Sequence, residues 1–308
     1  MPLHPVFQAA LDAGKAAGRP SLSAAGVAAA RAAVDDGAKP LGPGPEVLEA
    51  RVVPVPGRAG SIPVHVFRPV ASPAGVIVYF HGGGWVAGSA ASFEALARTL
   101  AVRSGCTVVN VDYRLAPEHP FPAGLDDAHD VLRWADAERA SLAGAGAPLM
   151  VGGDSAGGNL ATVAARELAG EIPIALQLLF YPVVGHDFET ESYRRWAEGQ
   201  SLTRADMQWF FGHYAPPAQW SSPRVAPLQA ELAGSPPAWL AVAEYDVLRS
   251  EGEAYGERLA QAGVPVQVRV WPGLAHGFAR WFNLVDVVGA ALDDAAAAVR
   301  NAVRESTP

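Results

Sequence analysis

Residues 148–158 read PLMVGGDSAGG, and residues 159–169 continue as NLATVAARELA. The apolar run predicts a buried strand, the glycines a tight turn, and the stretch from 156 to 169 a helix. Inside the turn sits G-x-S-x-G, as Gly153, Ser155 and Gly157. A serine on such a strand-to-helix turn is held in a strained backbone conformation, with glycines on either side making room for it. Its hydroxyl then projects at the carboxyl end of the sheet, beside a helix N-terminus that favours negative charge. A glycine-rich turn whose serine merely caps the helix is the plainer alternative, and the strand before and helix after weigh against it.

Working outward, other short β-rich apolar runs alternate with helical stretches: GVIVYFH (75–81), TVVNVDY (107–113), PIALQLLFYP (173–182), AWLAVAEYD (238–246) and PVQVRVWPG (265–273). The helical stretches lie near 92–103, 124–143, 156–169, 251–262 and 284–301. Continuous apolar strands alternating with helices imply right-handed β-α-β crossovers and a parallel sheet covered on both faces. Before them, EARVVPVP (49–56) and SIPVHVFR (61–68), joined by Gly-Arg-Ala-Gly, read as an antiparallel pair. The expected architecture is a mostly parallel, eight-stranded α/β sheet flanked by helices. Residues 1–48 are alanine-rich and helical, ending at LGPGPE, and more than 50 residues between Tyr181-Pro182 and the strand near 238 carry no strand pattern. A gap of that length in a compact domain is rarely structureless. Its stretches HDFETESYRRWAEG (186–199) and SLTRADMQWFFGHY (201–214) therefore predict an inserted helical cap. The expected division is a catalytic core of 49–184 and 226–308 with a cap of 1–48 and 185–225.

Composition narrows the function class. The chain has 308 residues, half of them hydrophobic and 18% charged, which excludes a disordered protein. Its 23 basic and 31 acidic residues give a net charge of −8, the wrong sign for nucleic acid or an anionic membrane. The single cysteine, Cys106, permits no intrachain disulfide, and the N-terminal residues lack the basic and apolar regions of a signal peptide. No long apolar run predicts a membrane span. A cytoplasmic protein without stable membrane association, monomeric or homodimeric, is the expectation.

A serine nucleophile needs oxyanion donors, a base and a carboxylate to orient the base. His81-Gly82-Gly83-Gly84-Trp85 ends the strand GVIVYF, and consecutive glycines let backbone N–H groups come close to a developing oxyanion. Neither phosphate-loop pattern, G-x-G-x-x-G or G-x-x-x-x-G-K-[ST], occurs here. Of the eight histidines only His186, His213 and His276 follow Ser155, and the first two fall in the expected cap. His276, in WPGLAHGF just past the last strand, is the expected base. Glu244 and Asp246 compete for the orienting role. Glu244 still belongs to the alternating strand, whereas Asp246 is the first carboxylate beyond it and is the expected partner.

HGGG ahead of GDSAGG, with YRLAPEHPFPA between them and EYDVLRSEG and GLAHGF after them, resembles the hormone-sensitive-lipase-like family of α/β-hydrolases, a family of bacterial carboxylesterases and relatives. The resemblance runs over nearly the whole chain, including SLTRADMQWFFGHY. It implies Ser155 as nucleophile, His276 as base, Asp246 as its partner, the N–H groups of Gly83, Gly84 and Ala156 as an oxyanion hole, and His81 as a loop-shaping residue. It also implies a serine carboxylesterase acting on short-to-medium-chain esters through an acyl-enzyme. The family's usual DPLRDEG reads DVLRSEG here, so a proline and a second aspartate are missing while Asp246 is retained.

No metal or cofactor is expected, because neither HExxH nor a cysteine–histidine cluster occurs. Asp154 reads as a tie for neighbouring backbone, and Arg114, Glu118 and His119 as supports of the site loops. Leu202, Met207, Phe210 and Phe211 fit either a substrate pocket or a packing face at helical spacing. Trp85, next to the glycines, reads as a pocket wall. The same triad serves amides or carbamates as well as esters, and a non-catalytic binding module on this fold is the remaining alternative. PVQVRV is a possible sheet edge.

Overall fold

The structure is a computed structural model describing residues 1–306. The N-terminal stretch forms α1 (Pro5–Ala16), α2 (Leu22–Ala25) and α3 (Val27–Ala38), then β1 (Glu49–Gly57) and β2 (Gly60–Arg68). There follow β3 (Val76–Phe80), α4 (Glu94–Ser104), β4 (Thr107–Val111), α5 (Ala123–Ala137), α6 (Arg139–Leu142), β5 (Leu149–Asp154), α7 (Ala156–Leu168) and β6 (Ile174–Phe180). The excursion after β6 holds α8 (Glu191–Arg195) and α9 (Arg204–Tyr214). The chain closes with β7 (Ala238–Tyr245), α10 (Arg249–Gln261), β8 (Val266–Ala275) and α11 (Asp286–Ser306).

The eight strands are ordered β1-β2-β4-β3-β5-β6-β7-β8. β1 and β2 are antiparallel, β2 meets β4 antiparallel, and every later pair is parallel. PVQVRV lies at an edge of the sheet, as its sequence suggested, with β1 at the other. β3 is the pivot: the chain builds β4 to one side of it and β5 to the other, with Phe80 beside Gly153. A crevice opens at such a switch point, outside the carboxyl ends of the strands. The glycine turn after β3 and the serine turn after β5 meet there.

The strands of the centre are buried on both faces, and their alternation divides the core in two. Val76, Val78 and Phe80 point to one side, with the apolar faces of α5, α7 and α10. Ile77 and Tyr79 point to the other, with α4, α11 and Phe7 of α1. The expected 124–143 helix is broken at Glu138 into α5 and α6, and β8 continues through Pro272 to Ala275 across a register shift against β7.

α9 begins at Thr203 with a capping box: Asp206 N–H donates to Thr203 Oγ1, and Asp206 Oδ2 accepts from Thr203 N–H. Asp206 Oδ1 accepts from the Ser23 N–H at 2.8 Å, so α2 and α9 are tied across the mouth of the crevice. α1 instead rests on the sheet side, with His4 N–H donating to Gly273 O and the Phe7 ring 5.2 Å from Trp281.

Candidate active site

Ser155 has φ 54° and ψ −121°, a left-handed conformation that costs a non-glycine residue about 1–3 kcal/mol. The turn is enforced by close packing of backbone. A Cβ on Gly157 would collide with the carbonyl of Phe80, and one on Gly153 with the backbone of Gly157. Although Ser155 stands at the N-cap position of α7, its side chain makes no capping hydrogen bond. The hydroxyl faces His276 instead.

His276 follows directly on β8. Its Nε2 is 3.0 Å from Ser155 Oγ and its Nδ1 is 2.7 Å from Asp246 Oδ2. Asp246 is buried, and its other oxygen accepts from Leu248 N–H at 3.0 Å, so both oxygens have assigned partners. That arrangement places the proton on Nδ1 and leaves the Nε2 lone pair for the serine. The ring of His276 lies 4.8 Å from that of Tyr181. Glu244 is turned elsewhere: its Oε2 accepts from Gly273 N–H at 2.8 Å, and its carboxylate meets the N-terminal ammonium at 3.4 Å. It thus braces the chain three residues before His276 without touching the imidazole. Opposite Glu244 the register shifts, from Ala243 beside Trp271 to Tyr245 beside Ala275, with the two extra residues carried by β8.

The N–H groups of Gly83, Gly84 and Ala156 find no acceptor among the described residues, although Gly83 and Gly84 border the cavity at Ser155. Their loop is held from below. Asp154 Oδ1 accepts from Gly82 N–H and from Tyr79 O–H, each at 3.0 Å, fastening the turn after β3 to β5. Burial pushes the Asp154 carboxyl up to about 6, against the pull of these donors. His81 is stacked between Phe93 and Tyr113, its Nδ1 2.7 Å from Gly82 O, and burial pushes its imidazole down to about 4. A neutral ring donating from Nδ1 to its neighbour's carbonyl shapes the loop. Tyr113 O–H donates to His81 O at 2.8 Å.

The run after Tyr113 is a brace. Arg114 forks onto Asp127 at 2.7–3.0 Å. Glu118 is gripped by Arg31 of α3, which also donates to Val86 O and Ala116 O. Reading the sequence did not single out Arg31, because a lone arginine in an alanine-rich helix carries no pattern that names its partner.

A cavity of about 300 Å³ opens over Ser155 and His276. Leu202, Met207 and Phe210 line it, but Phe211 and Trp85 do not. Trp85 corrects the expectation of a pocket wall, and Phe211 takes the packing role of its two readings. Trp85 lies flat on Tyr214 at 4.1 Å with Phe211 against its edge, and Phe211 is further enclosed by Phe188 and Trp220. On α9, residues 210 and 211 are about 100° apart, so one faces the cavity and the other the aromatic cluster. A second part of the wall has no signature in the sequence: Leu22, Ala33, Val34 and Gly37 from the N-terminal helices, and Arg280 and Trp281 just after His276.

Fold and site define an α/β-hydrolase carrying a Ser-His-Asp constellation beneath a helical cover. The comparisons agree. Residues 77–280 match the family described by the alpha/beta hydrolase fold, and the chain belongs to it, within the hormone-sensitive-lipase-like group. It is 38% identical over 266 residues to a carboxylesterase, NlhH, of Mycobacterium tuberculosis, covering 83% of each chain. It is 39% identical over 235 residues to an ethyl acetate hydrolase of Pseudomonas putida, covering 73% of this chain and 74% of that one. A hyperthermophilic esterase from the archaeon Pyrobaculum calidifontis superposes with a TM-score of 0.92 at 36% identity, over 98% of this chain and all of the other.

Proposed function

We propose that this protein, a carboxylic ester hydrolase, cleaves short-to-medium-chain esters through Ser155, His276 and Asp246. The observation that carries the reading is the unbroken chain from Asp246 Oδ2 through the imidazole to Ser155 Oγ, with links of 2.7 and 3.0 Å, opening onto a cavity. Ser155 Oγ attacks the ester carbonyl carbon as His276 Nε2 takes its proton, and Asp246 holds the imidazolium that forms. The carbonyl oxygen becomes an oxyanion received by the free N–H groups of Gly83, Gly84 and Ala156 at the N-terminus of α7. Nε2 returns the proton to the departing alcohol. Water then attacks the acyl-enzyme with His276 again as base, releasing the acid and Ser155.

A cavity of about 300 Å³ lies at the small end of small-molecule sites, which supports short-to-medium acyl chains. We assign 49–184 and 226–308 to the core and 1–48 and 185–225 to the cap, with α2 and α9 over the site and α1 anchored to the sheet. Among the described residues no helix is long and apolar enough to cross a membrane. The buried, unpaired Cys106 supports a cytoplasmic location.

The test is hydrolysis of p-nitrophenyl esters from acetate to palmitate by the wild type and Ser155→Ala. We expect a short-to-medium-chain optimum and a loss of roughly four to six orders of magnitude in the variant. A folded Ser155→Ala protein that keeps most of its activity overturns the assignment.

A further inference from the structure

Immediately after His276 the chain makes a 3-10 turn, Phe278–Trp281, that sets Arg280 in the wall of the Ser155 cavity. Its guanidinium lies 4.4 Å from the centre of the Phe93 ring. Nη2 donates to the carbonyls of Val34 and Ser92, each at 3.1 Å. Both acceptors are neutral. Nε is buried with no acceptor among the described residues, and no described carboxylate lies within ion-pair distance of the guanidinium. Asp154 and Asp35 act on it only through space, and Asp154 already serves Tyr79 and Gly82. Burial lowers the guanidinium's pKa, yet arginine stays protonated wherever a protein is folded.

Most of the wall is apolar, from Leu22, Val34, Leu202, Met207, Phe210 and Trp281, and its other polar side chains are Asp154, Ser155, Ser201 and His276. A cation in a cavity wall, hydrogen-bonded only to neutral carbonyls, is suited to receive an anion. Guanidinium pairs with carboxylate through short, charge-assisted hydrogen bonds, and a neutral substrate of the same shape leaves the charge unmatched.

Resting on the esterase reading above, we infer that the protein favours esters bearing a carboxylate a few bonds from the scissile carbonyl, received by Arg280. Two kinds of molecule have this chemistry: half-esters of short dicarboxylic acids, with the charge on the acyl side, and acylated hydroxy acids, with the charge on the alcohol side.

The experiment compares kcat/KM for monomethyl adipate against methyl hexanoate, and for γ-acetoxybutyrate against butyl acetate, followed by proton release at constant pH. Wild type, Arg280→Gln and Arg280→Lys are run alongside p-nitrophenyl butyrate. We expect the anionic-to-neutral ratio of one pair, which identifies the side, to fall roughly ten- to a hundredfold in Arg280→Gln. Arg280→Lys should retain more of it, and added salt should erode it in the wild type. An arginine that only ties α3 to the Ser92 loop would slow both members of a pair together. Ratios unmoved by substitution and by salt therefore overturn the inference. If Arg280→Gln does not fold, Arg280→Lys and the salt dependence decide. Failure of the wild type on p-nitrophenyl butyrate would instead overturn the esterase reading itself.

Discussion

Replacing Asp246 by asparagine should disable the site through the wrong imidazole tautomer rather than through loss of structure. Asp246 is 1% exposed, with one oxygen accepting from Leu248 N–H at 3.0 Å and the other 2.7 Å from His276 Nδ1. An asparagine in this place has only one acceptor, and the fixed backbone N–H of Leu248 claims it. The NH2 group is then directed at Nδ1, which must accept, so the ring proton moves to Nε2. Nε2 now donates toward Ser155 Oγ and has no lone pair for its proton. The size is almost unchanged and every buried polar group keeps a partner, so stability should move by less than about 1 kcal/mol. Turnover should fall about ten-thousandfold, equivalent to about 5 kcal/mol of transition-state stabilisation. The assay is kcat on p-nitrophenyl butyrate at neutral pH, with thermal unfolding of the same preparation. Ser155 labelling by a fluorophosphonate should slow in parallel. A folded Asp246→Asn protein within tenfold of wild-type turnover would refute the tautomer argument, and with it the role given to Asp246.

Two further perturbations test the surroundings. Gly84 has φ 62°, and a Cβ there would run into the Phe210 ring, so Gly84→Ala should lower kcat roughly a hundred- to a thousandfold by displacing an oxyanion donor. Adding Phe210→Ala should recover part of it, whereas near-normal kcat in Gly84→Ala alone would remove the loop from the mechanism. Burial pushes the Glu251 carboxyl up to about 8, against the N–H groups of Val184 and Gly185 that its Oε1 accepts. The folded protein therefore keeps a proton that the unfolded chain releases near 4.5. The corresponding stability is present below about pH 4.5 and is lost as pH rises toward 8. Glu251→Gln should flatten that decline and raise stability at pH 8 by up to roughly 4 kcal/mol; melting curves for the two proteins that stay parallel from pH 5 to 8 would contradict it.

What could be read in the chain is whatever short segments encode. The buried strands announce themselves as apolar runs, because a parallel sheet covered on both faces has no polar side. The turn at Ser155 is legible because its geometry is local: a strand end, glycines where backbone meets backbone at Gly157 and Phe80, and a helix start. Order along the chain then pointed to His276. The family resemblance carried the assignment of Gly83, Gly84 and Ala156.

Folding settled what depends on direction. Glu244 and Asp246 are only two residues apart, yet Glu244 accepts from Gly273 N–H, where β8 carries two extra residues against β7, while Asp246 reaches the imidazole. Trp85 and Phe211 are next to pocket residues in sequence, but their side chains turn into the packing around Tyr214. Arg31 and Arg280 meet partners 55 to 246 residues away, and Arg280 stands in the cavity because α3 and the Ser92 loop converge on it. Local sequence sets backbone conformation through sterics and periodicity, whereas a cavity wall exists only where distant segments pack together, and its contents are decided by that packing.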